Sequence, residues 1–252
     1  MMNKEKLYNK IRLLFEEVAN EFGFTKPDFG SGYTKKTGND IYSLNHAQIV
    51  TQGVMDNKFE FSPAANCTIM QVEDFWHDLY PLTIQMPDEK HYTKEYIENF
   101  KKLYPPTYRV EKNNNEIKRL FPENIRDTGW LCFDISDEGF EQFKKVMRYI
   151  INEQLIPELN KYHSIEILDK IVNHKVILSD EDRRIINKFQ GLPFRRIIIA
   201  KFNNNPLFEE ICDYTRSYFP QILELSKRPG KEYFKNYPYV FEEVYKRLKN
   251  IS

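Results

Sequence analysis

Leu7, Ile11, Leu14, Phe15, Val18 and Phe22 follow one another at steps of four, three, one, three and four. That spacing lines one face of a helix and predicts an amphipathic N-terminal helix, with Gly23 placed to end it. The period then changes. Residues 30–72 carry β-prone runs at Ile41–Thr51, Lys58–Ser62 and Cys67–Val72, and Thr37-Gly38-Asn39-Asp40 reads as a hairpin turn. The links are too short for parallel crossovers, so an antiparallel meander is expected. Thr93 is placed to cap a short helix through Tyr96, Ile97, Phe100 and Leu103, which Pro105-Pro106 would stop. Asn113-Asn114-Asn115 reads as a hairpin tip between Tyr108–Glu111 and Glu116–Phe121, and Gly129–Ile135 as the last strand.

From Ser136 the period becomes helical. Ser136 is a candidate N-cap, and Asp137, Glu138 and Glu141 precede Lys144, Lys145 and Arg148, the charge order a helix dipole favours. Phe140, Phe143, Met147, Ile150, Ile151 and Leu155 continue the stripe towards Leu159. Further helices are expected over 164–173, Arg183–Phe189 (opened by the box Ser179-Asp180-Glu181-Asp182), Leu207–Leu225 with a bend at Pro220, and Tyr237–Leu248. Pro193–Phe202 holds three successive isoleucines that suit a buried strand, but Phe194, Ile197, Ile198 and Phe202 make a helical stripe with Pro193 at its first turn. Helix is the expectation. The fold class is therefore α+β: an N-terminal helix, a sheet over about residues 30–135, and a helical C-terminal half. A single domain over 1–252 is expected, with a possible subdivision into 1–135 and 136–252.

Composition changes this picture little. Aromatics make up 15% of the 252 residues, enough for a sizeable core, and the 37 basic residues balance the 37 acidic ones. Neutrality argues against a dedicated nucleic-acid binder and against a polybasic membrane anchor. Cys67, Cys132 and Cys212 are odd in number, widely spaced and flanked by apolar residues, as buried free thiols would be. With no apolar leader and no run long enough to span a bilayer, a reducing, cytoplasmic location is expected.

The order of elements resembles a family of small bacterial proteins known only as a domain of unknown function. The resemblance is carried by Glu21-Phe22-Gly23-Phe24, Asp127-Thr128-Gly129-Trp130, Leu155-Ile156-Pro157-Glu158-Leu159 and the stretch Ile198-Ile199-Ala200-Lys201-Phe202-Asn203-Asn204-Asn205-Pro206. Some members of such families lie near toxin and immunity genes, so the resemblance implies a binding role and brings no catalytic residues with it.

No phosphate-binding glycine loop, His-Glu-x-x-His, Cys-x-x-Cys or Gly-x-Ser-x-Gly occurs. The densest polar cluster is Glu73-Asp74-Phe75-Trp76-His77-Asp78. On a helical turn Asp74, His77 and Asp78 share a face, the arrangement that acid–base work or a divalent ion would need. The bland alternative is a capped turn with Phe75, Trp76 and Leu79 packed inside. His46 could join His77 if its strand lay alongside, with Trp76 walling a pocket between them. His163 and His174 are expected on the surface. Arg183, Arg184, Lys188, Arg195, Arg196 and Lys201 form a basic stretch that could meet phosphates but equally a solvated helix face. Tyr214, Tyr218, Tyr233, Tyr237, Tyr239 and Tyr245 suit either an interface or the core.

The sequence thus points first to a non-catalytic, cytoplasmic protein-interaction module, immunity-like if the resemblance holds, whose partner is another protein. The alternative is a small-molecule-binding protein or hydrolase with a site at His46, Asp74, Trp76 and His77. A nucleic-acid-associated protein acting through Arg183–Lys201 comes third. No metal or cofactor is assigned.

Overall fold

Helix α1 (Lys4–Glu21) begins where the Asn3 side chain accepts the Lys6 N–H, and it buries the expected stripe of Leu7, Ile11, Phe15 and Val18. The structure, a computed structural model, describes residues 3–27, 32–51, 57–179, 182 and 192–251. Strands β1 (Tyr33–Thr37) and β2 (Asp40–Thr51) form the expected hairpin, with Thr37 opposite Asp40. Gly38 opens the two-residue loop at φ +62°, the positive value a tight hairpin turn favours there. β3 (Lys58–Thr68) runs through Pro63, which lies just beyond the residues paired with β5 (Leu131–Asp134). A residue without an N–H is tolerated where strand pairing changes. With β4 (Tyr108–Glu111) these make a five-stranded antiparallel sheet in the order β1-β2-β3-β4, with β5 also on β3.

Two strand expectations need correction. The run Cys67–Val72 does not stay extended: β3 ends at Thr68 and helix α2 (Met70–Trp76) starts two residues later. The Ile69 N–H goes to the Thr107 hydroxyl at 2.9 Å instead of to a neighbouring strand. Nor is Asn113–Asn115 a hairpin tip. After α3 (Lys94–Lys101), which Thr93 caps as expected, Asn113 caps helix α4 (Asn114–Leu120), its side-chain oxygen accepting from the N–H groups of Asn115 and Glu116. Asparagine serves turns and caps equally well, because its short side chain mimics a backbone acceptor. A tertiary bond, from the Asn113 N–H to Gln154 at 2.9 Å, accompanies the cap here.

Ser136 caps α5 (Asp137–Tyr149) as expected, accepting the Gly139 N–H at 3.1 Å. The helix continues through a π-helical stretch, Ile150–Leu155, into α6 (Ile156–Lys161). The wide turns come immediately before Pro157, which has no N–H to give to the preceding turn. α7 (Ile165–Val172) follows. Pro193–Phe202 is helical, within α8 (Leu192–Phe202), and α9 (Phe208–Ser217) and α10 (Phe219–Leu225) meet at Tyr218, two residues before Pro220. α11 (Tyr237–Lys249) closes the described chain. The reciprocal bonds of the capping box form between Ser179 and Asp182. The helix expected over Arg183–Phe189 lies outside the described residues.

The chain divides into two compact units, neither contiguous in sequence: Met1–Cys67 with Arg109–Lys161, and Thr68–Tyr108 with Tyr162–Ser252. Helices α5 and α6 thus belong with the sheet, and the boundaries fall elsewhere than 135/136. In the first unit α1 and α5 pack together, tied by Arg148 on Glu21 with two bonds of 2.7 Å. Between sheet and helices lies a cluster of Phe15, Phe59, Phe61, Phe133, Phe140 and Phe143, ring centroids 5.0–5.8 Å apart. Gly139 lets α5 start against the end of β5. A Cβ there would lie 2.2 Å from the Asp134 carbonyl oxygen. Gly139→Ala should therefore cost roughly 1–3 kcal/mol, a prediction that a denaturation curve matching wild type would refute.

Cys67, Cys132 and Cys212 are free and buried, as the sequence suggests. No helix among the described residues is long and apolar enough to cross a membrane.

Candidate functional site

His46 lies in the first unit, on the inner face of β2. Its ring stacks on Phe61 (5.0 Å, 10°) and meets Phe15 at 5.1 Å, and its buried Nδ1 has no partner among the described residues. Burial, with the Arg12 guanidinium adding to it, holds the imidazole below its ordinary pKa. The ring behaves as a neutral member of the aromatic cluster. A depressed pKa means the unfolded chain binds the proton first, so this contribution is present above about pH 6.5 and fades as the pH falls towards the folded value. His46→Phe should remove that acid-sensitive component. Urea midpoints measured from neutral to mildly acid pH should fall less in the variant, and an unchanged pH slope would count against it.

Asp74, Trp76 and His77 lie in the second unit, on or next to α2. The structure brings Asp74 and His77 together around one residue: Tyr104 donates its hydroxyl to Asp74 at 2.9 Å and stacks on the His77 ring at 4.1 Å. His77 donates Nε2–H to the Leu103 carbonyl at 3.1 Å, which fixes its tautomer. Asp78 is held by Arg247 through bonds of 2.8 and 2.7 Å, which keep its carboxyl below the usual range. His46, with its ring contacts all in the first unit, is not part of this group.

Trp76 is fully buried, and it leads to Glu73 and Arg195, which the sequence places only in a polar cluster and a basic stretch. Its indole N–H donates to Glu73 at 3.1 Å, and its ring packs on Phe194 of α8 at 5.0 Å and edge-on to Tyr80 at 5.5 Å. Glu73, 0% exposed, receives Nε and Nη2 of Arg195 at 2.5 and 2.8 Å, the guanidinium itself being 2% exposed. The Thr107 hydroxyl donates to the same carboxylate at 2.6 Å. Each carboxylate oxygen thus has two donors, and the Thr107 hydroxyl also accepts the N–H of Ile69, the residue before α2. Nη1 of Arg195 makes no hydrogen bond to a described residue.

Arg195 lines a cavity of about 300 Å³ within this unit, together with Tyr80, Thr83, Ile84, Gln85, Pro105, Tyr233 and Tyr237. A 3₁₀ turn at Tyr80–Thr83 and another at Glu232–Asn236 shape it. They are joined by Tyr237 donating to the Thr83 carbonyl at 3.3 Å and Asn236 donating to that of Leu82 at 3.0 Å. Burial pushes the Tyr237 phenol up to about 12 and raises that of Tyr80, so both stay protonated near neutrality.

The signal for Arg195 was present in the sequence. Phe194, Ile197, Ile198 and Ile199 make α8 apolar on nearly all sides, so it is buried, and an arginine inside such a helix requires a buried acceptor. Its neighbour Arg196 is also buried, binding the carbonyls of Val172, the last residue of α7, and of Val176 beyond it at 2.9 and 3.0 Å, and the Asn173 side chain at 3.0 Å. Asn203 and Asn205 donate to buried Asp169, each at 2.8 Å, and Asn173 donates to it at 2.7 Å. The asparagine-rich end of α8 is therefore a structural clasp. Of the expected basic stretch, Arg195 and Arg196 face inward and Arg183, Arg184 and Lys188 lie outside the described residues. Among the described residues no group of three or more His, Cys, Asp and Glu is placed to hold a metal.

No protein-family model matches the chain, and no curated protein and no solved structure matches it either. The family resemblance rests on the quoted segments alone.

Proposed function

We propose that this is a non-catalytic binding protein whose recognition site is the tyrosine-lined cavity over Arg195. The observation that carries the reading is a guanidinium held at 2.5 and 2.8 Å by a fully buried carboxylate while lining a cavity large enough for a small ligand. A buried ion pair is poor evidence for stability, because apolar residues of similar volume often serve as well. Fixing a donor in one orientation is what a binding site needs. The chemistry around it suits binding better than turnover. Glu73 is fully engaged, both raised phenols stay protonated, and His77, Asp74 and Asp78 each already have a partner. The interaction-module expectation shares this conclusion if the bound group is carried on a partner protein.

Saturation-transfer NMR with benzamide and benzoate tests the site. At least one should bind the full chain and lose binding in Gln85→Trp, which covers the cavity from an exposed lining position. Absence of binding by both, or binding unaffected by the variant, removes the cavity as a recognition site.

A further inference from the structure

We infer that the cavity selects a neutral hydrogen-bond acceptor on a flat apolar frame, of the aromatic amide or lactam type, over the corresponding carboxylate. The inference rests on the proposed reading of the cavity as a recognition site. Arginine in a pocket usually invites an anion, but here its charge is already cancelled. Glu73 takes Nε and Nη2 side-on at 2.5 and 2.8 Å, and among the described residues no other that lines the cavity is charged. What remains for a ligand is a directed N–H at Nη1 without a net positive field.

A carboxylate entering this space would lose its hydration and approach Glu73 with no unpaired cation to meet it. Burying an ionised group without a counter-charge is among the most expensive steps in protein chemistry. A carbonyl oxygen asks only for a donor, which Nη1 supplies, while the phenols of Tyr80 and Tyr233 can donate or accept at the ligand's edge and that of Tyr237, whose hydrogen goes to the Thr83 carbonyl, can accept. The rings of Tyr80, Tyr233 and Tyr237, with Pro105, supply flat apolar walls, and aromatic faces favour stacked or edge-on ring partners. The lining therefore matches a planar, uncharged body bearing a carbonyl. Such a group could be free or displayed by a partner, since the chemistry recognised is the same.

Benzamide and benzoate share ring and shape and differ in charge, so they isolate the claim. On the full wild-type chain, titrations followed by ¹⁵N chemical shifts should show benzamide binding at least about tenfold more tightly, a difference of roughly 1.4 kcal/mol. Glu73→Gln uncovers the Arg195 charge and should reverse the order in favour of benzoate. Benzoate binding wild type as tightly as benzamide would overturn the neutral-acceptor inference while leaving the cavity as a site. Benzamide remaining preferred in a folded Glu73→Gln chain would overturn it equally. If neither probe shifts cavity resonances, the recognition reading falls and the inference with it. Should Glu73→Gln fail to fold, the wild-type comparison decides alone. A peptide bearing an unmodified C-terminal amide, set against its free acid, then separates a displayed group from a free one: binding of the amide form alone supports the inference, and preference for the acid opposes it.

Discussion

Glu73→Ala should destabilise the second unit by about 3–5 kcal/mol, the cost of leaving a buried charge without its partner. The substitution strands Arg195, 2% exposed, and removes the acceptor for both the Thr107 hydroxyl and the Trp76 indole. A guanidinium does not give up its proton in proteins, so deprotonation offers no relief. Replacing both partners, as Glu73→Met with Arg195→Met, should recover a large part of the loss by removing the charge along with its counter-charge. Urea unfolding followed by Trp76 fluorescence in a Trp130→Phe background reads the effect, and the double-mutant cycle isolates the pair from its neighbours. A single substitution costing less than about 1 kcal/mol, within the range of an exposed ion pair, would show that the pair is not desolvated as described.

Phe143→Ala should cost the first unit about 3–5 kcal/mol, the usual range for deleting a buried aromatic ring. Its ring is fully buried and sits edge-on to three others, Phe59 at 5.5 Å, Phe61 at 5.0 Å and Phe133 at 5.3 Å. The cavity left behind is walled by rigid rings on a sheet, which cannot collapse to fill it. Phe143→Leu, which keeps most of the volume, should be much milder. Amide exchange gives the measurement by unit: protection should fall in β3, β5 and α5. Unaltered protection there would mean the cluster is looser than its ring spacings indicate.

The two predictions fall on residues that the sequence exposed to different degrees. Phe143 belongs to a helical stripe that is plain in the sequence, and nothing but burial was needed to place it. Glu73 and Arg195 are each ordinary in their local context: an acid in a polar cluster, and a base in a basic stretch. They are 122 residues apart, and only the packing of α2 against α8 makes them a pair. The same applies to His46 and Trp76. By type and surroundings His46 suits a polar group of a pocket and Trp76 its aromatic wall, yet the fold uses one as an aromatic filler and the other as a buried prop for Glu73. Asp74 and His77 lie three residues apart, but the residue both of them meet, Tyr104, comes from beyond the next helix, α3.

The sequence by itself determined the elements governed by near neighbours. Periodicity marked α1 and α5, and side-chain chemistry within three residues fixed the caps at Thr93 and Ser136 and the hairpin at Gly38-Asn39. Those choices depend on local hydrogen bonds and on which face of a segment is apolar. Tertiary structure alone decided the rest: that the chain after Thr68 turns into a helix, that Asn113 caps instead of turning, and that the units interleave two segments each. It also decided which charges went inside. A buried charge is tolerable only where a counter-charge or a set of hydrogen-bonding groups meets it, and the position of those partners is a property of the packed fold that no window of sequence contains.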